Sequence, residues 1–417
     1  MKILFLVKFY PPYDRGGSEW STRDLAKLMI AEGHEILVVT PNYGNKINET
    51  IDGINIYRLP FPIKLKNPKS KIAPFWTNNL LWFIYSSVYC LYFCIKTQID
   101  IIHVHSNEFI PSAIATRTFL KKPTVVTFRD YQSLCSLGFC LWQKNKTCTI
   151  SEFIKKDFIF FYKNYVTSKN PINYAGLLAA SLRAMIMQKI IYIFSKKIDF
   201  KVAVSQKVAE IFKANGIYDV KVINNPVCVK VPIWNKSSNE ILYVGKLSKG
   251  KGVDMFFKVI LNLIKEMPNL KFKLIGSGYL EKQLKSQIEV NSAGSRIKLM
   301  GQLDHAETLN QIRKAALVVV PSIWPEPLPR SIIETIVSGT PVVATKVGGI
   351  PEIIKDKIYG VLSSPNEKSL TKAIIYGFDN RDRLKRNITK DMQKIQKHFS
   401  TDVVKDYIQV YKKAFNL

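Results

Sequence analysis

Two α/β domains, each an open parallel sheet flanked by helices, are what this sequence predicts, and three observations carry the prediction. The order strand, glycine-bearing loop, helix, strand opens the chain from Lys2 to Thr40, and a like order runs from Ile241 onward. Such alternation builds parallel sheets with helices across their faces. A chain of 417 residues, 47% of them apolar, exceeds one ordinary core. The polar stretch from Asn235 to Glu240 separates the two runs. The domains are therefore read as 1–235 and 236–396, with a ligand cleft between them.

Composition narrows the partners. Lys and Arg number 61 against 32 Asp and Glu, a formal charge of +29. That excess favours a nucleotide diphosphate, an acidic membrane surface or nucleic acid. No nucleic-acid fold signature accompanies it, and a lysine bias spread along the chain is not a localised stripe, so nucleic acid is not expected. Six cysteines fall short of a secreted disulfide scaffold. The opening MKILFLVKFYPP shows no small-residue cleavage site, and a cytoplasmic protein with reduced thiols is expected.

In chain order, Lys2 to Phe9 reads as a strand bounded by Pro11-Pro12. The loop YDRGGSEW follows. Gly16 and Gly17 admit close backbone approach by a ligand, or a turn closed to other residues. Asp14 or Ser18 is a candidate cap for a helix starting near Trp20, and Ile36 to Thr40 is the next strand. No GxGxxG dinucleotide pattern is present. Residues 58–78 interleave cations with Phe61, Ile63, Leu65, Phe75 and Trp76. This fits either a peripheral membrane patch or a loose basic loop. Asn79 to Ile95 carries no charge, but Ser86-Ser87 and three tyrosines dilute it. A helix beside the sheet or dipped into a membrane surface explains it better than a full span.

Ile99 to Val104 is another buried strand, with His103 and His105 on one side by two-residue alternation. Without HExxH or CxxC these do not imply a metal site. His103 reads as a core histidine and His105, nearer the strand's C-terminal end, as the ligand-facing one. Thr124 to Phe128 leads into Arg129 and Asp130, where open sheets bind ligands. Asp130 either steers an acceptor hydroxyl or caps a turn. Cys135, Cys140 and Cys148, spaced C-x4-C-x7-C, are open to zinc, a disulfide or plain packing. Residues 151–197 read as two amphipathic helical segments parted near Pro171, with apolar faces toward protein or lipid.

In the second half, Ile241 to Val244 delivers GKLSKGKG, where Lys246 and Lys251 lie five apart. One loop conformation turns both ammonium groups toward a diphosphate; the alternative is a solvated lysine cluster. The P-loop pattern is not met, since Gly252 follows Lys251. Leu270 to Ile275, Ile297 to Met300 and Leu317 to Val320 are further strands. Pro321 to Pro351 then carries Glu326 and Glu334 with seven residues between them. Pro327 and Pro329 bar a helix around Glu326, whereas Ser331 onward suits one. A loop carboxylate and a helical carboxylate thus frame a helix N-terminus suited to phosphate. The alternative is an ordinary turn with surface acids.

Together the segments resemble the retaining glycosyltransferases of the GT4 group, whose GT-B architecture sets two Rossmann-like domains facing across a cleft. The resemblance rests on GGSE at 16–19, HVH at 103–105, GKLSKGKG at 245–252, EPLPRSIIE at 326–334, SGTPVVAT at 338–345 and GGIPE at 348–352. It implies Glu326 on donor-sugar hydroxyls, Glu334 on the nucleotide ribose, Lys246 and Lys251 on the diphosphate, and Gly16 and Gly17 near the phosphates. Arg330 and Ser331 join the nucleotide side, and His105 and Asp130 join Glu326, Lys246 and Lys251 as catalytic candidates. Arg129 stands where the family usually has histidine, and an arginine only donates. Arg330 replaces a frequent glycine, adding charge or obstructing the pocket. Segment 397–417 is similar to the family's terminal helix that crosses back to the first domain.

The resemblance also implies same-face transfer through an oxocarbenium-like sugar, with a UDP- or GDP-linked donor and no metal or separate cofactor. The expected reaction is hexose transfer to a lipid-linked or growing cell-surface glycan, by an enzyme peripheral to the anionic inner face of the cell membrane. A soluble small-molecule or polysaccharide acceptor is the alternative, and an inactive glycan-binding scaffold a third reading.

Overall fold

The computed structural model describes residues 1–417 except 14–15, 68–69, 71, 137–146, 148, 160–161, 164–165, 167–169, 230–237 and 417. Its contacts group the chain into two units, Met1–Pro226 with Asp402–Leu417, and Val227–Thr401. The boundary expected at 235/236 falls outside the described residues. The Val227 N–H already donates to the Phe399 carbonyl at 2.9 Å, which ties it to the second unit.

The first unit's sheet comprises β1 (Lys2–Leu6), β2 (Glu35–Pro41), β3 (Asn48–Ile51), β4 (Ile54–Leu59), β5 (Ile101–Val104), β6 (Thr124–Phe128), β7 (Phe200–Ala203) and β8 (Val220–Val222). The order across it is β3-β4-β2-β1-β5-β6-β7-β8, and every pairing is parallel except the β3–β4 hairpin. That hairpin was not among the expected elements. Its turn, Asp52-Gly53, has φ of 53° and 77°, the left-handed pair that matches the twist of a two-residue hairpin.

The longer helices of this unit are α1 (Gly17–Ala31), α2 (Leu80–Thr97), α3 (Ile110–Leu120), α4 (Pro171–Lys197) and α5 (Gln206–Ala214), and between positions 149 and 171 the described residues hold the short helical turns Ile150–Glu152 and Phe153–Phe158. The side chains of Asn79, Asn170 and Ser205 cap α2, α4 and α5, each satisfying a backbone N–H that has no partner inside its helix. α1 departs from expectation. It begins at Gly17 rather than near Trp20, with Gly16 at its N-cap and no side-chain cap. Trp20 N–H already donates to the Gly16 carbonyl at 3.3 Å, so Ser18 lies inside the first turn instead of capping it. Asp14, the other candidate cap, lies outside the described residues.

The second unit's sheet, β9 (Glu240–Val244), β10 (Lys271–Ile275), β11 (Ile297–Gly301), β12 (Leu317–Val320), β13 (Val342–Thr345) and β14 (Gly360–Ser363), runs β11-β10-β9-β12-β13-β14. All pairs are parallel. Its longer helices are α6 (Val253–Glu266), α7 (Glu281–Val290), α8 (His305–Lys314), α9 (Arg330–Val337), α10 (Glu367–Asp379) and α11 (Arg381–Lys397). α12 (Val403–Phe415) belongs to the first unit. Its Val403, Val404, Tyr407, Val410, Tyr411 and Ala414 pack with Ile3, Phe5 and Leu25 in that unit's core.

Both sheets reverse direction of growth at one place, between β1 and β5 and between β9 and β12. Open α/β sheets bind ligands at such switch points, outside the C-terminal strand ends. The loops after β1, β5, β9 and β12 are therefore where side chains matter.

Candidate active site

In the second unit, the loops leaving β9 and β12 meet backbone to backbone. Gly252 has φ 66°, and a Cβ there would sit 1.9 Å from the Pro321 carbonyl oxygen. Gly348 has φ 57°, and a Cβ there would sit 2.0 Å from the Glu326 carbonyl oxygen. Only glycine fits either place. The approach at Gly348 lets the next residue, Gly349, donate its N–H to the Glu326 carbonyl at 2.7 Å. Ile323 N–H likewise donates to the Gly250 carbonyl at 3.1 Å.

These contacts fix Glu326, which is 3% exposed. Three donors converge on its Oε1: Lys251 Nζ at 2.6 Å, Ser322 Oγ at 2.6 Å and Trp324 Nε1 at 2.7 Å. The Lys251 ammonium also lies 5.2 Å from the Trp324 ring centroid, a cation–π distance. Glu334, in α9, repeats the pattern. Its Oε1 accepts from Arg330 Nε at 2.6 Å and pairs with His305 Nε2 at 2.8 Å. Among the described residues none donates to Oε2 of either glutamate. Burial draws the Glu334 carboxyl upward, but the His305 hydrogen bond and the Arg330 charge outweigh it and hold the group below its ordinary value. Each glutamate is thus an oriented carboxylate with one oxygen committed to the protein and the other available to a hydroxyl.

Lys246 is exposed at the start of the β9 loop, and its carbonyl accepts from Tyr243 Oη at 2.8 Å. Ser331 is half-buried in the first turn of α9. Arg330 is 6% exposed and holds Glu334. Sequence reasoning missed Ser322, Trp324 and His305. Ser322 and Trp324 lie within four residues of Glu326 and carry a hydroxyl and an indole N–H, a readable signal. His305 arrives from the β11 exit, and nothing in its spacing marks it.

In the first unit, His103 and His105 do share a side, with ring centroids 3.9 Å apart. His103 is core: its ring nitrogens lie 2.6 Å from Tyr411 Oη and 2.8 Å from Thr127 Oγ1. His105 is 6% exposed and packs on Phe5, yet neither ring nitrogen has a described hydrogen-bond partner. Burial, joined by nearby positive charge, pushes both imidazoles well below their ordinary pKa, so they are neutral. Asp130 does cap a turn: its Oδ1 accepts from Gln132 N–H at 2.9 Å and from Asn107 Nδ2 at 3.1 Å. Burial raises its pKa. Lys8 and Glu108 pair beside it at 2.5 Å.

Arg129 bonds the first turns of α1, Nη1 donating to the Ser18 carbonyl at 2.7 Å and Thr22 Oγ1 at 2.6 Å. It fastens a helix end where a family histidine was the comparison. Gly16 is extended, with φ 165°, and a Cβ there would meet nothing within 4 Å. The fold itself therefore does not demand a glycine at 16, contrary to a turn closed to other residues. Among the described residues no side chain caps the start of α1. Cys135 is buried and in no disulfide; Cys140 and Cys148 lie outside the described residues. Among the described residues, no three His, Cys, Asp or Glu gather as a metal site.

Comparison with known proteins accords with this layout. The family profile described as "Glycosyltransferase Family 4" matches residues 15–230, and the one described as "Glycosyl transferases group 1" matches 229–394. The chain is 24% identical over 376 residues to a component of human phosphatidylinositol N-acetylglucosaminyltransferase, covering 88% of this chain and 66% of that one. Sucrose-phosphate synthase of Thermosynechococcus elongatus superposes with a TM-score of 0.74 at 16% identity, over 100% of this chain and 99% of that one. Anabaena HepE in complex with UDP and glucose gives 0.67 at 16% identity, over 99% of each. At these identities the structural likeness carries the fold.

Proposed function

Because the chain belongs to glycosyltransferase family 4 and has the two-domain α/β GT-B architecture, we propose that it moves a hexose from a nucleotide-diphosphate sugar to a glycan hydroxyl with retention of configuration. The observation that carries this reading is the pair of half-committed carboxylates. Glu326 Oε2 accepts from a donor-sugar hydroxyl and Glu334 Oε2 from the ribose. Lys251 and Lys246 face the diphosphate, aided by the N–H groups at Arg330 and Ser331. HepE, whose structure holds UDP and glucose, supports a donor of this class.

The bond from the anomeric carbon to the phosphate oxygen breaks and its electron pair stays on the diphosphate. The acceptor oxygen bonds to the same face of the sugar, and its proton passes to the departing phosphate oxygen. No covalent nucleophile is needed. Positive charge and N–H groups placed before the reaction stabilise the developing negative charge, each well-placed donor by roughly 3 kcal/mol. In the first unit, the His105 ring, Asp130 and the glycines Gly16 and Gly17 at the start of α1 are the acceptor and phosphate residues of the proposal. A lipid acceptor accords with the name of the human relative. A soluble acceptor accords with the likeness to sucrose-phosphate synthase.

A nucleotide-sugar panel tests the reading, scored by direct binding and by slow hydrolysis without acceptor. Saturable binding to one donor, weakened by Glu334→Gln and Lys251→Ala, is expected. Folded protein that binds no UDP, GDP, ADP or TDP sugar overturns it.

A further inference from the structure

The first unit carries an apolar face that its own described fold leaves uncovered. α2 carries a single charged residue, Lys96, and is mainly apolar on its inner and its outer stripe. Its inner stripe, including Trp82, Phe83, Phe93 and Cys94, is buried, while its outer stripe, Leu81, Ile84, Val88 and Ile95, is 80%, 62%, 61% and 66% exposed. A surface helix ordinarily turns a polar face to water. Alongside, α3 exposes Phe119 by 72% and α4 exposes Ile186 by 62%. Between the three helices runs a groove of about 670 Å³, lined by Ile84, Val88, Ile114, Ile190 and Phe194 among others. A contiguous apolar surface of this extent marks an interaction site.

Charge identifies the occupant. Together α2, α3 and α4 carry six cations, Lys96, Arg117, Arg183, Lys189, Lys196 and Lys197, and no acidic residue. Just before α2, exposed Phe75 and Trp76 add rings, with the Arg183 guanidinium 4.6 Å from the Phe75 centroid. Apolar side chains rimmed by cations and aromatic rings match a bilayer interface bearing anionic headgroups. Arg117 pairs with Asp199 at 2.7 Å; the others would meet like charge on a second copy of the chain packed face to face. A full span by α2 would tear its inner stripe from the fold, including the hydrogen bond that Ser112 Oγ donates to Ser86 Oγ at 2.9 Å.

We propose that the α2–α3–α4 face docks this protein on an anionic lipid bilayer, with the outer stripe of α2 in the headgroup–acyl boundary and α2 not crossing it. The proposal goes beyond the donor reading and is independent of it. The test is flotation of the full chain with vesicles of phosphatidylcholine alone and of equimolar phosphatidylcholine and phosphatidylglycerol. The protein floats with the anionic vesicles and less as salt rises. Leu81→Asp with Ile84→Asp and Val88→Asp abolishes flotation. Lys189→Ala and Lys197→Ala each weaken it about fivefold. All these side chains are exposed, so the variants keep the wild-type melting temperature. Folded wild type that stays with the lipid-free fraction overturns the proposal. So does unchanged flotation of the triple variant, or a solution dimer that the triple variant makes monomeric while vesicle binding persists. Nucleotide binding measured without vesicles reports on the donor site alone, so the two readings fail separately.

Discussion

Lys251→Ala separates holding Glu326 from stabilising the leaving group. The substitution leaves Glu326 buried but still bonded by Ser322 and Trp324. The lysine side chain is 31% exposed and the glutamate 3%, so the pair lies between an exposed bridge and a buried one. Its loss costs about 1–2 kcal/mol, a Tm fall of about 2–8 °C for a unit of this size. Removing one positive charge from the departing diphosphate costs about 3 kcal/mol, a kcat lower by about 10²–10³. Tm and acceptor-free donor hydrolysis are measured on Lys251→Ala, Glu326→Gln and the double variant. Glutamine needs no countercharge, so in that background removing Lys251 costs little stability but still lowers kcat. If the kcat loss vanishes in the Glu326→Gln background, Lys251 serves only to neutralise Glu326 and the reasoning is refuted.

His305→Ala and Arg330→Leu each remove one donor from Glu334 Oε1. Nucleotide Kd rises about tenfold for the loss of one charge-assisted hydrogen bond, while kcat at saturation holds; calorimetry and saturation kinetics distinguish the two. A carboxyl held below its unfolded value contributes stability that is present above that value and lost as pH falls through the folded one. Weakening the hold on Glu334 therefore moves acid unfolding of the second unit to higher pH, read by near-ultraviolet dichroism. His103 and His105 act through the other half: buried neutral, they are protonated on unfolding below about pH 6.5, so first-unit stability falls with a slope of about 1.4 kcal/mol per pH unit for each. His105→Gln lessens that slope in urea titrations. Gly348→Ala, driven against the Glu326 carbonyl, lowers both Tm and activity, whereas Gly16→Ala leaves stability within about 0.5 kcal/mol of wild type and lowers donor turnover.

Much of this was legible in the chain. β6 and β12 fall where hydrophobic runs between turn residues place them, and the prolines keep Glu326 in a loop and Glu334 in α9. Local chemistry decides such matters, and local chemistry is written in order. The β3–β4 hairpin was readable from Asp52-Gly53 but hidden beside the longer strands. What the chain could not display was convergence. Lys251 and Glu326 are 75 positions apart, and His305 and Glu334 are 29; each pair meets only because parallel strands deliver their loops to one edge. The roles of Arg129 and Gly16 were equally hidden, since the partners of one and the open surroundings of the other depend on where α1 begins.

The glycine contacts around Glu326 have a consequence for how this site tolerates change. Gly252, Gly276, Gly278 and Gly348 each place backbone where a Cβ would strike another loop's carbonyl, at 1.9, 1.9, 2.1 and 2.0 Å. At these four places the close contact is to main chain, and main chain is the same whatever side chains it bears. Ser277 hangs from that frame and can be exchanged without moving it, whereas Tyr279, whose hydroxyl accepts from the Lys249 N–H at 2.9 Å, helps to hold the loop, and the four glycines cannot be replaced. In a library saturating residues 276–279, changes at Gly276 and Gly278 would be lost with the fold, and new donor preferences would be drawn from Ser277.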